Sequence, residues 1–274
     1  MFTTPSLPHE VPDLDDLAAA LRGGLLRTPY VEMVREGAVV PAYEFCTERV
    51  VVAGAPEEGF ADPQRIMRLL GEGATLLLPQ LDQWHASVGA LAAHLAHDLG
   101  RRVEAFCFAT MAGRRGLDVH RDDADVLVVQ VAGRKEWTVY AAPTDGHWRP
   151  GPVPEPGEPV LRTVVGAGDV LYVPRGAPHT ATGNEGLSVH IALTVREAST
   201  AHIRRTLADL LTQDPGDLPT RPLTEAQLLA SIRDVLDSAR KTLDSVSPED
   251  LLARARGPLP DLPGTKAPTE WPTA

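Results

Sequence analysis

Residues 117–137 read LDVHRDDADVLVVQVAGRKEW. His120, Arg121, Asp122 and Asp123 crowd charge at the head of an apolar run that needs burial. In a strand, residues two apart share a face. His120 and Asp122 therefore aim at one point, at the mouth of a core strand. One imidazole and one carboxylate make two-thirds of a facial triad, a ligand set that leaves metal positions open for other molecules. The set needs a second imidazole, from a strand that returns beside the first.

His179, 57 residues beyond Asp122, is the candidate. It ends the segment GAGDVLYVPRGAPH (166–179), in which a Gly-Asp turn leads into an apolar strand. Pro174, Gly176 and Pro178 then make a rigid bend that can present one imidazole to a pocket. A His-x-Asp tripeptide alone occurs by chance. A His-x-Asp at one strand mouth, with a lone histidine after a later Gly-Asp strand, is more specific.

The surroundings of these anchors read as β-structure. From residue 103 the apolar runs VEAFCFA, DVLVVQVAG, EWTVYAA, VLRTVVGAG, DVLYVPRG and LSVHIALTV recur between Gly and Pro punctuation. Closely spaced strands with turn signals predict an antiparallel sandwich or barrel. The segment PTDGHWRPGPVPEPGEP (143–159) is too rich in Pro and Gly for regular structure. Ahead of the strands the chain is mixed. DLDDLAAALRG (13–23) and DPQRIMRLLGEG (62–73) predict capped helices, the second with Asp62 as cap and Pro63 in its first turn. RVVVAG (49–54) and ATLLLPQL (74–81) predict short buried strands, and residues 83–99 a longer helix with Val88, Leu91, Leu95 and Leu99 on one face. His94 and His97 on that helix lack a third ligand nearby and read as a solvated face.

From residue 199 the chain turns helical. Ile203, Leu207, Leu210 and Leu211 form one stripe. A second helix opens at a Thr224/Gln227 capping box and carries Leu228, Ile232, Val235, Leu236, Ala239, Leu243 and Val246. Two or three such helices make little core alone, so they pack on the barrel or on the same helices of a second subunit. The expected division is a barrel with an N-terminal α/β elaboration over 1–198, a helical, possibly dimerising, region over 199–256, and a flexible Pro-rich tail over 257–274.

Composition narrows the function. Lys plus Arg number 26 against 37 Asp plus Glu, a net charge of −11, which argues against general binding to nucleic acid and favours basic partners. Cys46 and Cys107 form no C-x-x-C pair and read as reduced thiols of a cytoplasmic protein. The start, MFTTPSLPHEVPDLDD, lacks the basic and apolar regions of a signal peptide. No apolar run approaches the ~20 residues of a membrane span.

HRDDADVLVVQVAGRKEWTVY, GDVLYVPRGAPHTA and LSVHIALTV together resemble the JmjC-type cupin hydroxylases, in the ribosomal-oxygenase-like branch. The likeness covers roughly residues 28–198 and includes GEGATLLLPQLDQW and HLAHDLGRRVEAFCFAT. It implies a double-stranded β-helix, a jelly roll that binds Fe(II) and 2-oxoglutarate and hydroxylates protein side chains. The branch's metal ligands map onto His120, Asp122 and His179. Its cation for the distal carboxylate of 2-oxoglutarate maps onto Lys135, fifteen residues after His120. The physical need is plain, since a dicarboxylate buried in a barrel must meet a cation. Lys135 shares a strand face with Trp137, which belongs inside. Thr110 and Ser188 are candidate donors to the cosubstrate. Gln130 is expected to hydrogen-bond within the barrel, and His190 to be a core histidine. Arg121 and Arg175, with Arg114 and Arg115, stand where they could ring the entrance and select an acidic substrate group.

Three departures from the branch stand out: Phe106 where an asparagine is usual, Arg121 where an aromatic residue is usual, and MAGRRG (111–116) in place of a Pro-rich stretch. Two other functions are compatible with the residues. One is a hydroxylase of a free amino acid or natural-product intermediate. The other is a non-catalytic metal-binding cupin or sensor.

Overall fold

The structure is a computed structural model and describes residues 11–52, 54–212, 218 and 220–263. The proline-rich tail from residue 264 onward lies outside the described residues.

Along the chain run α1 (Leu14–Arg22), β1 (Glu32–Arg35), β2 (Ala38–Val39), α2 (Ala42–Phe45), β3 (Cys46–Val52), β4 (Ala55–Ala61), α3 (Pro63–Gly71), β5 (Thr75–Leu78), α4 (Leu81–Trp84), α5 (Ala86–Leu99) and β6 (Val103–Met111). They are followed by β7 (His120–Arg121), β8 (Ala124–Tyr140), β9 (Gly151–Pro152), β10 (Pro159–Gly166), β11 (Val170–Val173), β12 (His179–Arg196), α6 (Thr200–Leu211), α7 (Glu225–Ser245) and α8 (Pro248–Arg256). The chain divides into two units, residues 197–258 and the remainder.

The larger unit is built on an antiparallel sheet ordered β10-β8-β12-β6-β5-β1-β2, with β11 on β8 and β7 joining β12 to β9. Two long strands roll it up. The first half of β8 pairs with β11 and with the far half of β12, from Val129↔Ile191 to Ala124↔Arg196. The second half pairs with β10 and with the near half of β12, from Lys135↔Gly183 to Val139↔His179. Each strand thus passes from one face of the roll to the other. The bend in β8 falls at Gly133, with φ 64°, where a β-carbon would stand 2.1 Å from the Leu187 carbonyl oxygen. Only glycine meets both conditions. The result is the expected double-stranded β-helix.

Alternation along β6 separates two cores. Val103, Ala105, Cys107 and Ala109 are buried against a layer that includes Ile66 and Leu69 of α3 and Val88 and Leu91 of α5. Phe106 and Phe108, between them, pack with Val126, Val128, Trp137 and Val139 inside the roll. Each fully buried Leu or Ile contributes roughly 1.5–3 kcal/mol, so the outer layer fixes the sheet from which the inner face is presented.

Several local expectations meet a different structure. Residues 49–52 of that segment lie in β3, but among the described residues β3 pairs with β4 alone, in a separate hairpin, and Val50 is 70% exposed. The helix expected over 83–99 is broken at His85, whose extended backbone (φ −110°, ψ 111°) ends α4 and starts α5; Leu99 is exposed. DVLVVQVAG and EWTVYAA are one strand bent at Gly133 rather than two. The 143–159 loop contains β9, which holds β7 in place through His120↔Pro152. His97 is not merely solvated: its Nε2 lies 2.8 Å from the Pro260 carbonyl oxygen.

In the smaller unit, Ser199, Thr224 and Ser247 cap α6, α7 and α8, the first two in full capping boxes. Arg256 and Glu197 close the unit with a two-pronged ion pair of 2.8 and 3.0 Å. Among the described residues no helix is long and apolar enough to cross a membrane.

Candidate metal centre

β7 and the start of β12 lie side by side, with His120 and His179 in register. Their rings stand 4.4 Å apart, centroid to centroid. Asp122 follows β7 and returns its carboxylate between them, Oδ1 3.7 Å from His120 Nε2 and Oδ2 3.6 Å from His179 Nε2. One ligand atom from each of the three lies within 4.8 Å of the others. Hydrogen bonds set the rings. His120 Nδ1 is 2.8 Å from the Asp118 carbonyl oxygen, and His179 Nδ1 is 3.1 Å from that of Ala177. A carbonyl only accepts, so each Nδ1 carries the proton and each Nε2 lone pair faces Asp122. That is the tautomer a metal requires. Burial, then the neighbouring His120, pushes the His179 imidazolium down in pKa against the pull of Asp122. A neutral His179 is thereby favoured.

The triad stands at the mouth of a cavity of ≈280 Å³ inside the roll. Phe106, Phe108, Val126, Val128, Trp137 and Ala192 make most of its wall apolar. Lys135 also lines it, at 3% exposure. No carboxylate neutralises this ammonium among the described residues. Its Nζ donates to Thr110 Oγ1 at 3.2 Å and reaches His190 Nδ1 at 3.4 Å. Thr110 in turn shares a 3.2 Å hydrogen bond with Thr75. Burial pulls the Lys135 pKa down to about 8, and burial, then the nearby Lys135, drives that of His190 well below its ordinary value. His190 is thus a neutral acceptor that Lys135 holds in one tautomer. Its ring stacks on Phe108 at 4.9 Å.

The sequence candidates therefore separate. His120, Asp122, His179, Lys135 and Thr110 meet at one cavity. Ser188 does not line it: its hydroxyl accepts from Gln130 Nε2 at 2.9 Å, and Gln130 also donates to the Ala132 carbonyl. Nor do Arg121 and Arg175. Arg121 follows His120 in β7, so alternation turns it away from the ligands. The Arg175 guanidinium is held by Asp123 at 2.7 Å and lies over the Trp148 ring. It fastens the bend before His179, whose backbone is further tied by Arg175 N–H to Asp125 at 3.0 Å. Burial works to raise the Asp125 carboxyl, but hydrogen bonds from Arg175 N–H, Tyr172 and Arg101 outweigh it and hold it low. Thr75 and His190 join Thr110 and Lys135 at the cavity, with no local sequence signal for either. Thr75 enters from β5, a strand 45 residues ahead of His120, and only the register β5–β6 shows the connection.

Residues 83–203 match the JmjC domain family. The histidyl-hydroxylase and lysine-specific demethylase NO66 of Drosophila sechellia is 27% identical over 220 residues, 74% of this chain and 33% of that protein. Ribosomal oxygenase 1 of Rattus norvegicus is 32% identical over 150 residues, 52% of this chain and 25% of that protein. The chain thus spans about a third or less of the length of these relatives. Among solved structures, Escherichia coli YcfD superposes with a TM-score of 0.51 at 19% identity, over 88% of this chain and 62% of that one, which shows the shared fold. The rolled sheet and the converging triad thus accord with the likeness of residues 83–203 to the JmjC domain family.

Proposed function

We propose that the chain is an Fe(II)- and 2-oxoglutarate-dependent oxygenase that hydroxylates a side chain of a protein or peptide. One observation carries this reading: a buried ammonium with no counter-ion among the described residues, Lys135, shares a cavity with three metal-ready ligands. A buried cation left unpaired is costly, so the cavity suits a bound anion. Two imidazoles and one carboxylate leave several positions on a divalent metal, which suits iron better than a closed zinc site. Iron, with 2-oxoglutarate and oxygen, supplies the oxidising chemistry. The chain's own residues do the rest. His120, Asp122 and His179 hold the metal, Lys135 and Thr110 fix the far carboxylate, and the aromatic wall keeps water out. The protein substrate is supported by likeness to proteins named as histidyl-hydroxylase and ribosomal oxygenase. Free, buried Cys46 and Cys107 suit a cytoplasmic protein. The apolar stripe of α7, half-exposed from Leu228 to Leu243, suits a homodimer.

The test is succinate formation from 2-oxoglutarate with added iron. The wild-type chain is expected to turn over. His179→Ala is expected to lose iron-dependent turnover while keeping its circular dichroism spectrum. Turnover retained in that variant contradicts the ligand set.

A further inference from the structure

A second recess, of ≈410 Å³, opens beside the metal cavity, and Gly116 and Leu117 line both. Its other walls come from the β1–β2 turn, Glu72 and Gly73 after α3, and Arg114, Arg115 and Asp118 before β7. We propose that this recess selects a protein substrate by one acidic side chain, held on the Arg114 guanidinium while the target residue sits at the metal centre. The inference rests on the protein-hydroxylase reading above.

The charges of the recess are unequally satisfied. Glu72 is taken by Arg68 at 2.8 Å and Arg35 at 3.8 Å. Asp118 stands 3.7 Å from Arg115. Arg114 has no carboxylate within ion-pair distance among the described residues. It is a guanidinium in a concave site whose other charges, Glu36 apart, are paired, and a guanidinium matches a carboxylate with two parallel hydrogen bonds. Glu36, the other wall charge with no ion pair among the described residues, opposes a second negative group and limits the selected feature to one carboxylate.

Arg114 is also held in place. Gly113 N–H donates to Gly183 O at 2.8 Å, and Gly183 N–H to Arg114 O at 3.0 Å. Ala112 N–H bonds to Gly186 O at 2.7 Å, and Thr180 Oγ1 donates to Leu117 O at 3.2 Å. The segment is thus laced to β12, the strand that carries His179. The guanidinium lies against Gly73, where a β-carbon would stand 2.6 Å from Nε and 2.8 Å from Cζ. The cation and the metal ligands therefore ride on one frame, which fixes the offset between a bound acid and the reacting side chain. A pre-set guanidinium loses little freedom on binding.

The experiment is affinity selection of a randomised peptide display library on the immobilised full chain, loaded with Mn(II) and 2-oxoglutarate. Wild type is expected to enrich Asp or Glu at one fixed position about tenfold, Arg114→Ala to lose that enrichment, and Arg114→Lys to keep part of it. No acidic enrichment on wild type, or the same enrichment on Arg114→Ala, overturns the proposal. Substrate-free succinate formation is measured on the same proteins. It is expected to be equal in wild type and Arg114→Ala. Its absence in wild type refutes the oxygenase reading, whereas its presence without acidic enrichment refutes only the role of Arg114.

Discussion

Lys135 concentrates the physical argument in one side chain. Inside the cavity it gives up hydration and, among the described residues, gains a hydroxyl and a neutral imidazole as partners. The cost appears as a pKa of about 8 against an ordinary 10.5. The unfolded chain therefore binds more protons than the folded one between about pH 8 and 10.5. By linkage, this lysine's penalty is full below pH 8 and is relieved as pH rises through that window. The shift corresponds to about 3 kcal/mol. Lys135→Met should accordingly stabilise the ligand-free protein at pH 7, read as a higher urea midpoint. The gap between variant and wild type should narrow toward pH 10. Taking the difference cancels the opposing titrations of Cys46 and Tyr172, whose raised pKa values act in both proteins, but not that of Cys107, whose thiol the Lys135 ammonium draws down in wild type alone. A destabilised variant, or a gap that does not change with pH, contradicts this account. The same side chain shows how a site can be read from sequence. Its spacing from His120 and its shared face with Trp137 locate it, because both follow from strand alternation. Thr75 and His190 are not visible that way, since nothing local in a strand says which distant strand it will pair with.

At the scale of elements, the two long strands carry the site. β8 brings Lys135 and Trp137, and β12 brings His179 and His190, so a change in either bend moves the metal centre relative to the anion pocket. Gly133→Ala should lower stability by about 2 kcal/mol or more, because the added methyl meets the Leu187 carbonyl at a positive φ. Equilibrium urea unfolding measures it; an unchanged midpoint would show that the bend does not depend on glycine. This bend is also where the sequence reading was coarsest. Alternation and Gly/Pro punctuation gave the strands and their antiparallel class. They could not distinguish a turn from a kink, because Gly133 signals both. The break at His85 has no local signal for a related reason: no Gly or Pro marks it, and tertiary packing sets its extended backbone. β3 departs from its expected burial because Val50 and Val51, core residues by type, sit exposed in the hairpin.

For the whole molecule, the smaller helical unit sets the question of assembly. Ile232, Val235, Leu236 and Leu243 of α7 are each 45–49% exposed, a stripe that a second copy would cover. Light scattering should give about twice the 29.4 kDa chain mass, and Ile232→Asp with Leu236→Asp should return the monomer. A monomeric wild type contradicts the dimer. The centre of the account lies in the larger unit, and isothermal titration of 2-oxoglutarate into Mn(II)-loaded protein tests it most directly. We expect one molecule bound per chain, with binding lost when Mn(II) is withheld and weakened at least tenfold in Lys135→Met. Binding that survives both changes, or no binding to the wild type, would contradict a cavity in which the triad and Lys135 act on one ligand.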